Sequence, residues 1–316
     1  MQPTNQQTMP LRLGITPWRM SSTMRADALG AQAEIAEECG YHSFWLPESH
    51  FAGENSVPEP MLLLAAVAAR TTTIKLGTTS YLLPIRNALQ AAEQVAVLDQ
   101  LSGGRLILGL GRGFEKKMLS AFDVHAKEKR ELLERNLAIM KAAWAGNVVG
   151  AEILGAVMAP RPRQQPHPPI WMAAFGPKAL AQAGKMGAPY LASPMESMRQ
   201  LEKNYEVYKS ALAHHGQPQP AEIAVMRTVL ISEDKFLCET TESELAQRTN
   251  TVKLSNAAVG KSWIVGNAEE VAIEIQHYRE HLGMNYLIMV RPRIRGLSQQ
   301  CVEQSVRALA EIVAAL

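Results

Sequence analysis

Short apolar runs rich in β-branched and aromatic residues alternate along the chain with longer stretches whose apolar positions recur at helical spacing. The runs predicted as strands are Arg12–Thr16, Ser43–Leu46, Ile74–Thr79, Arg105–Leu110, Ile170–Ala174, Tyr190–Ala192, Ile223–Ile231 and Asn285–Val290, each followed by a helix-like stretch. Stripes at Leu133, Leu137, Met140 and Trp144, and at Val302, Val306, Leu309 and Val313, each keep one helix face apolar. Strands such as Arg105-Leu-Ile-Leu-Gly-Leu and Tyr286-Leu-Ile-Met-Val are apolar without alternation, as parallel strands covered on both faces are. About eight strand-helix units predict an α/β fold closed as a (β/α)8 TIM barrel, one domain over residues 1–316, with an open doubly wound sheet as the competing arrangement. Two stretches interrupt the rhythm and read as insertions. Asn147–Pro169 ends in Pro160-Arg-Pro-Arg-Gln-Gln-Pro-His-Pro-Pro, which predicts an extended connection, and Lys235–Lys261 is polar.

Composition narrows the classes of function. Lys plus Arg number 32 against 30 for Asp plus Glu, so no basic surface for nucleic acid is indicated. The longest apolar run, Met61–Ala69, is about half the roughly 20 residues that a bilayer requires, so no membrane span is expected. Residues Met1–Pro10 are polar and do not read as a secretory signal. Cys39, Cys238 and Cys301 are scattered and odd in number, which suits a reducing compartment and predicts a cytoplasmic protein without disulfides or a metal knuckle.

In a parallel barrel the chemistry sits just beyond the carboxyl ends of the strands. After the second strand comes Pro47-Glu48-Ser49-His50-Phe51, an acid and a histidine suited to proton transfer, or a turn with a satisfied histidine. After the fourth, Gly109-Leu-Gly-Arg-Gly113-Phe114 offers a close backbone approach at Gly111 and a guanidinium at Arg112. A nicotinamide fingerprint would need glycine where Phe114 stands. After the fifth, Ala174-Phe175-Gly176-Pro177 opens a helix whose free N–H groups favour an anion. After the eighth, Arg291-Pro-Arg-Ile-Arg295 is a cationic rim or an anion site. Trp18, Phe114, Met172 and Met226 are candidates for an apolar substrate lining, or simply barrel core. His277 and His281 share a helix face without further ligands, and no metal site is expected.

Several strings together carry a resemblance. Gly40-Tyr-His-Ser-Phe-Trp-Leu-Pro-Glu-Ser-His-Phe51, Lys75-Leu-Gly-Thr-Thr-Ser-Tyr-Leu-Leu-Pro84, Glu93-Gln-Val-Ala-Val-Leu-Asp-Gln-Leu-Ser-Gly-Gly-Arg105 and Leu108-Gly-Leu-Gly-Arg-Gly-Phe114 stand in that order. Pro166-His-Pro-Pro-Ile-Trp-Met-Ala-Ala-Phe-Gly-Pro-Lys178 and Val265-Gly-Asn-Ala-Glu-Glu-Val271 follow. In order and spacing the chain resembles the bacterial luciferase-like flavin oxidoreductases.

The resemblance implies a barrel, commonly a homodimer, that holds reduced FMN or, in one branch, the deazaflavin F420. It implies a non-proline cis peptide at Thr79–Ser80 under the flavin ring, and a phosphate held by Arg112 and the amides near Gly176. The implied activity is a monooxygenase that takes O2 and a small organic substrate and receives its flavin from a separate reductase. An F420-dependent hydride transfer and a non-catalytic subunit are the alternatives. The luciferases proper carry Glu-His-His-Phe where this chain has Glu48-Ser49-His50-Phe51, so light emission from an aldehyde is not expected.

Overall fold

A computed structural model describes residues 10–19, 25–53, 56–147, 157–251 and 260–316. Its elements run β1 (Arg12–Ile15), α1 (Ala26–Glu38), β2 (Ser43–Leu46), α2 (Pro60–Ala68), β3 (Lys75–Thr78), β4 (Tyr81–Leu82), a single 3-10 turn (Leu83–Ile85), α3 (Ala88–Leu101) and β5 (Leu106–Gly111). They continue with α4 (Lys116–Ala121), α5 (Lys129–Trp144), β6 (Ile170–Ala173), α6 (Pro177–Lys185), β7 (Tyr190–Leu191), α7 (Met198–His214) and β8 (Ala224–Ile231). The last are α8 (Lys235–Thr251), β9 (Trp263–Gly266), α9 (Ala268–Leu282), β10 (Tyr286–Val290) and α10 (Gln299–Ala315).

Strands β1, β2, β3, β5, β6, β7, β8 and β10 pair in parallel around a closed ring. β10 bonds both β8 (Ile288 opposite Met226) and β1 (Leu287 opposite Leu13). That closure establishes the (β/α)8 barrel and excludes the open sheet. Each ring strand coincides with one of the eight predicted runs to within a residue or two. The apolar stripes behave as expected, with Leu133, Leu137, Met140, Trp144, Val302, Val306 and Leu309 all buried between helices and strands.

Two expectations change. Lys235–Thr251, read only as part of a polar insertion, is helix α8. Its Leu237, Cys238, Leu245 and Ala246 pack on β9 and β8, and the intervening Glu/Thr run hides that face from a periodicity count. Strands β4 and β9 were not anticipated. β4 has only two residues, and β9 pairs with the projecting half of β8 outside the ring. Residues 1–9, 20–24, 54–55, 148–156 and 252–259, which hold part of both insertions and most of the Met1–Pro10 stretch, lie outside the described residues. The described part of the first insertion is extended, as predicted. Gln164 anchors it with its backbone N and Nε2 donating to the buried carboxylate of Asp99 at 2.8 and 2.7 Å.

Because strand side chains alternate, one set fills the barrel and the other meets the helices. The inner set is Trp45, Ile107, Trp171, Leu191, Ala224, Met226, Tyr286 and Ile288. Trp45 dominates it, with its ring 5.2 Å from that of Trp171, which lies 5.1 Å from Tyr286. An indole of this size fits only because its neighbours on both flanking strands are glycines. A Cβ at Gly77 would stand 2.1 Å from the Trp45 ring, and one at Gly14 would stand 2.7 Å from its Nε1. Gly77→Ala is therefore expected to cost about 1–3 kcal/mol by overpacking, read as a lower denaturant midpoint at unchanged slope. Combining it with Trp45→Phe should cost less than the sum of the two single changes.

Candidate active site at the carboxyl mouth of the barrel

Beyond the aromatic layer the inward positions turn small. By strand alternation they are Gly109, Gly111, Ala173, Thr228 and Val290, of which Ala173, Thr228 and Val290 are half-buried. The barrel is thus plugged in its middle, and the small inward residues at its carboxyl end leave room there for a cup.

One wall of the cup is the turn from β3 to β4, whose Thr79–Ser80 peptide is cis, as the resemblance implied. The turn is fixed from two sides. Thr79 N donates to Leu46 O at 2.8 Å, and the Thr78 hydroxyl donates to Gly109 O at 2.8 Å while accepting from Gly109 N at 3.0 Å. The close approach requires glycines on β5. A Cβ at Gly109 would lie 1.9 Å from Thr78 O, and one at Gly111 1.9 Å from Ser80 Oγ. The first two glycines of the Gly109–Gly113 string thus make room for this turn. Gly113 is needed for its left-handed backbone, with φ of 70°.

Glu48 and His50 meet beside this wall. The Glu48 side chain is fully buried, and its Oε1 accepts from Arg86 and from His50 Nε2, both at 2.7 Å, while Oε2 accepts from Leu82 N at 2.9 Å. With Arg86 and a backbone amide supporting the carboxylate, His50 Nε2 is the protonated nitrogen and Nδ1 the free base. The imidazole packs edge-on to Phe122 at 4.8 Å, and Arg86 lies 4.0 Å over the Tyr81 ring. Arg86 had escaped sequence reasoning because it lies beyond a strand too short to recognise.

Arg112, just past β5, is half-buried and donates to Gln182 Oε1 at 3.3 Å, which ties it to α6, the helix that Gly176 and Pro177 begin. Burial, and next the charge of Arg130, push its pKa down to about 10. Lys129 donates to Gly113 O at 2.7 Å and is also lowered, by burial first and then by Arg112 and Arg130. Among the described residues neither Arg112 nor Lys129 has a carboxylate within ion-pair distance. The three cations crowd together at the start of α5 and beside α6; Arg130 acts on the Glu134 carboxylate, whereas no carboxylate of the described residues acts on Arg112 or Lys129, an arrangement that an anion would relieve. Lys129 and Arg130 were missed, although two cations in the first turn of a helix, where the dipole opposes them, are a legible signal. Of the remaining residues at α6, Ala174 is buried, Phe175 is 38% exposed and Gly176 has φ of 83°.

The four expected lining residues are not brought together. Met172 is 1% exposed on the helix-facing side of β6, Met226 lies inside the barrel with Trp45, Trp18 is buried against the outer core, and Phe114 is 88% exposed. One residue of strand parity separates Met172 from the cup, and Ala173 occupies the inward position. Arg291 is half-buried in a cleft with Trp18, Arg293 and Leu297.

Residues 11–239 match the sequence profile described as luciferase-like monooxygenase. The chain belongs to this family. The oxygenase component of the flavin-dependent trigonelline monooxygenase of Acinetobacter baylyi is 28% identical over 67% of this chain and 61% of its own length. The chain spans only about half to three fifths of the length of the curated relatives it matches first. Among solved structures, the monooxygenase RslO1 of Streptomyces bottropensis superposes with a TM-score of 0.81 at 25% identity, covering 96% of this chain and 99% of that one. The oxygenating constituent of 3,6-diketocamphane monooxygenase of Pseudomonas putida, in complex with FMN, superposes with a TM-score of 0.78 at 19% identity, covering 97% of this chain and 99% of that one. No group of metal-ligating side chains and no helix long and apolar enough to cross a membrane occurs among the described residues.

This luciferase-like chain buries a further acid at the same end, in the turn after β7. Glu196 accepts from Tyr190 Oη at 2.8 Å, Ser193 N at 2.7 Å and Asn204 Nδ2 at 2.6 Å, yet burial outweighs these bonds and raises its pKa from 4.5 to about 7. In the unfolded chain the carboxyl ionises first, so between about pH 4.5 and pH 7 the folded state holds more protons and stability falls as pH rises. Glu196→Gln is expected to remove a decline on the order of 3 kcal/mol across that window, seen as a flatter dependence of urea stability on pH.

Proposed function

We propose that the chain is a flavin-dependent monooxygenase that binds reduced FMN, supplied by a separate reductase, and uses O2 to oxygenate a small organic substrate. The observation that carries this reading is the cluster of Arg112, Lys129 and Arg130 at the start of α5 and beside α6, in which burial lowers the pKa of Arg112 and Lys129, on the rim of the cup. Its charge and position suit the phosphate of FMN, with the amides at Gly176 and Pro177's helix completing the cradle. The cup, whose inward positions hold glycine, alanine and threonine, suits a flat ring lying against the Thr79–Ser80 wall. The flavin-dependent relative and the FMN complex of a similar barrel support the choice of cofactor.

Reduced flavin supplies the electrons by which one oxygen atom of O2 enters the substrate and the other leaves as water. The chain's own part is to hold the cofactor, exclude bulk water and move protons. His50 Nδ1 is the group placed to accept or return a proton, with the Glu48 carboxylate, itself held by Arg86, stabilising the imidazolium. Ser49 replaces the first histidine of the luciferases, and the substrate is correspondingly assigned to no aldehyde. Arg291 and its neighbouring cleft stand where a substrate of negative charge would be received.

Titration of the purified chain with FMN and with F420, followed by fluorescence, tests the reading. FMN is expected to bind, and Arg112→Met to raise its Kd roughly 10- to 100-fold, the worth of one charge-assisted contact of about 1.5–3 kcal/mol. Quenching by F420 alone would assign the chain to hydride transfer, and binding of neither would make it a non-catalytic subunit.

The homodimer implied by the resemblance has a surface that suits it. Helix α2, Pro-Met-Leu-Leu-Leu-Ala-Ala-Val-Ala, is apolar on every side, yet Leu62 is 70% exposed, and on α3 Leu101 is 64% exposed. A helix without a polar face is ordinarily covered. Leu62→Glu is expected to shift the protein from dimer to monomer in sedimentation velocity.

A further inference from the structure

The aromatic layer that floors the cup also roofs a second cavity, at the opposite, amino-terminal end of the barrel. It measures about 420 Å³, within the range of small-molecule pockets, and lies among the N-terminal ends of β1, β2 and β3, helix α5 and the proline-rich connection. Its walls are apolar at Ile107, Leu137, Trp171 and Met186, and its polar groups are largely cationic or donors. Arg12 is balanced by Glu222 at 3.3 Å. Lys75 donates only weakly, to Gly104 O at 3.3 Å, and among the described residues neither Lys75 nor Lys141 has an ion-pair partner.

A chain of hydrogen bonds backs the roof. Trp45 Nε1 donates to Ser43 Oγ at 2.5 Å, Ser43 Oγ meets Tyr286 Oη at 2.5 Å, and Tyr286 Oη meets His42 Nδ1 at 2.8 Å. Trp45 can only donate, so a head-to-tail order of these bonds makes His42 Nδ1 an acceptor and leaves Nε2–H as a donor. Burial, and then Arg12 and Lys75, push the His42 pKa down to about 4, so the ring is neutral and keeps that arrangement at neutral pH. In most barrels this end serves stability and is filled. Here it combines apolar walls with two unpaired ammonium groups.

The geometry points to a binding site at the amino-terminal mouth for a small organic anion, a carboxylate on an apolar body, with Lys75 and Lys141 meeting the carboxylate and Trp171 the body. The site is separate from the carboxyl mouth and does not rest on the cofactor reading. Benzoate titrated into the full chain is the probe, with tryptophan fluorescence reporting contact with Trp171 and benzyl alcohol as the uncharged control. Saturable quenching by benzoate is expected, with weaker binding of benzyl alcohol. Affinity should fall at least about tenfold in Lys75→Met and be unchanged in Arg112→Met. Circular dichroism checks that the variants fold, and Lys141→Met, at the exposed rim, carries the same expectation should Lys75→Met not fold. Absence of saturation at millimolar benzoate overturns the proposal. So does equal affinity for benzyl alcohol, and so does loss of binding in Arg112→Met with retention in the lysine variants, which would place the anion at the other mouth.

Discussion

The Trp45 indole occupies volume that its two flanking strands give up, since Gly14 and Gly77 present no side chain to it. Interiors are packed to the density of crystals, so an indole of this size inside an eight-stranded ring demands that compensation and leaves little slack. Trp171 and Tyr286 complete the layer, and their polar tips are satisfied through Ser43 and His42 rather than left bare. Closing the middle of the barrel in this way divides its interior into two compartments. The carboxyl compartment is left with small residues and becomes a cup, while the amino-terminal one is left with charged groups and a void.

Electrostatics at the two mouths follow one rule in different ways. A buried cation without a partner is costly, and the cost appears as a depressed pKa or as a neighbour recruited to help. At Arg112 the neighbours are Lys129 and Arg130, which aggravate the cost, and the Gln182 side chain offers only a neutral acceptor against it. At Arg86 the opposite holds, because Glu48 lies at 2.7 Å and the Tyr81 ring beneath the guanidinium. The first arrangement is incomplete without an anion, whereas the second is complete and serves to hold Glu48 against His50.

Much of the barrel was legible because its signal is local. Apolar runs flanked by turn residues identify all eight ring strands, and helical spacing identifies α5 and α10. The misses share a cause, in that the deciding contact is distant in sequence. β4 exists because Thr78 and Gly109 draw the chain onto β5, and α8 is amphipathic only toward β9. The string Gly109–Gly113 suggested a ligand-binding backbone, whereas two of its glycines answer to Thr78 and Ser80 from another strand. Met172 and Ala173 differ by one position of parity, which an alternation count over an uninterrupted apolar strand cannot resolve. Glu48 and His50 were found because strand ends mark the site in this fold, while Arg86 required knowing what Glu48 touches.

Strand β8 runs to eight residues, of which Ala224–Thr228 pair within the ring and Thr228–Ile231 project past it to pair with β9. Helix α8 and β9 are therefore appended to the flank of the closed ring and interrupt none of its rungs. The number, tilt and stagger of strands in a closed ring are mutually bound, so any resizing there must be matched all the way round. A side extension is exempt from that bookkeeping, and descendants of this chain are free to lengthen, trim or replace the appendage while the two-chambered ring passes on unaltered.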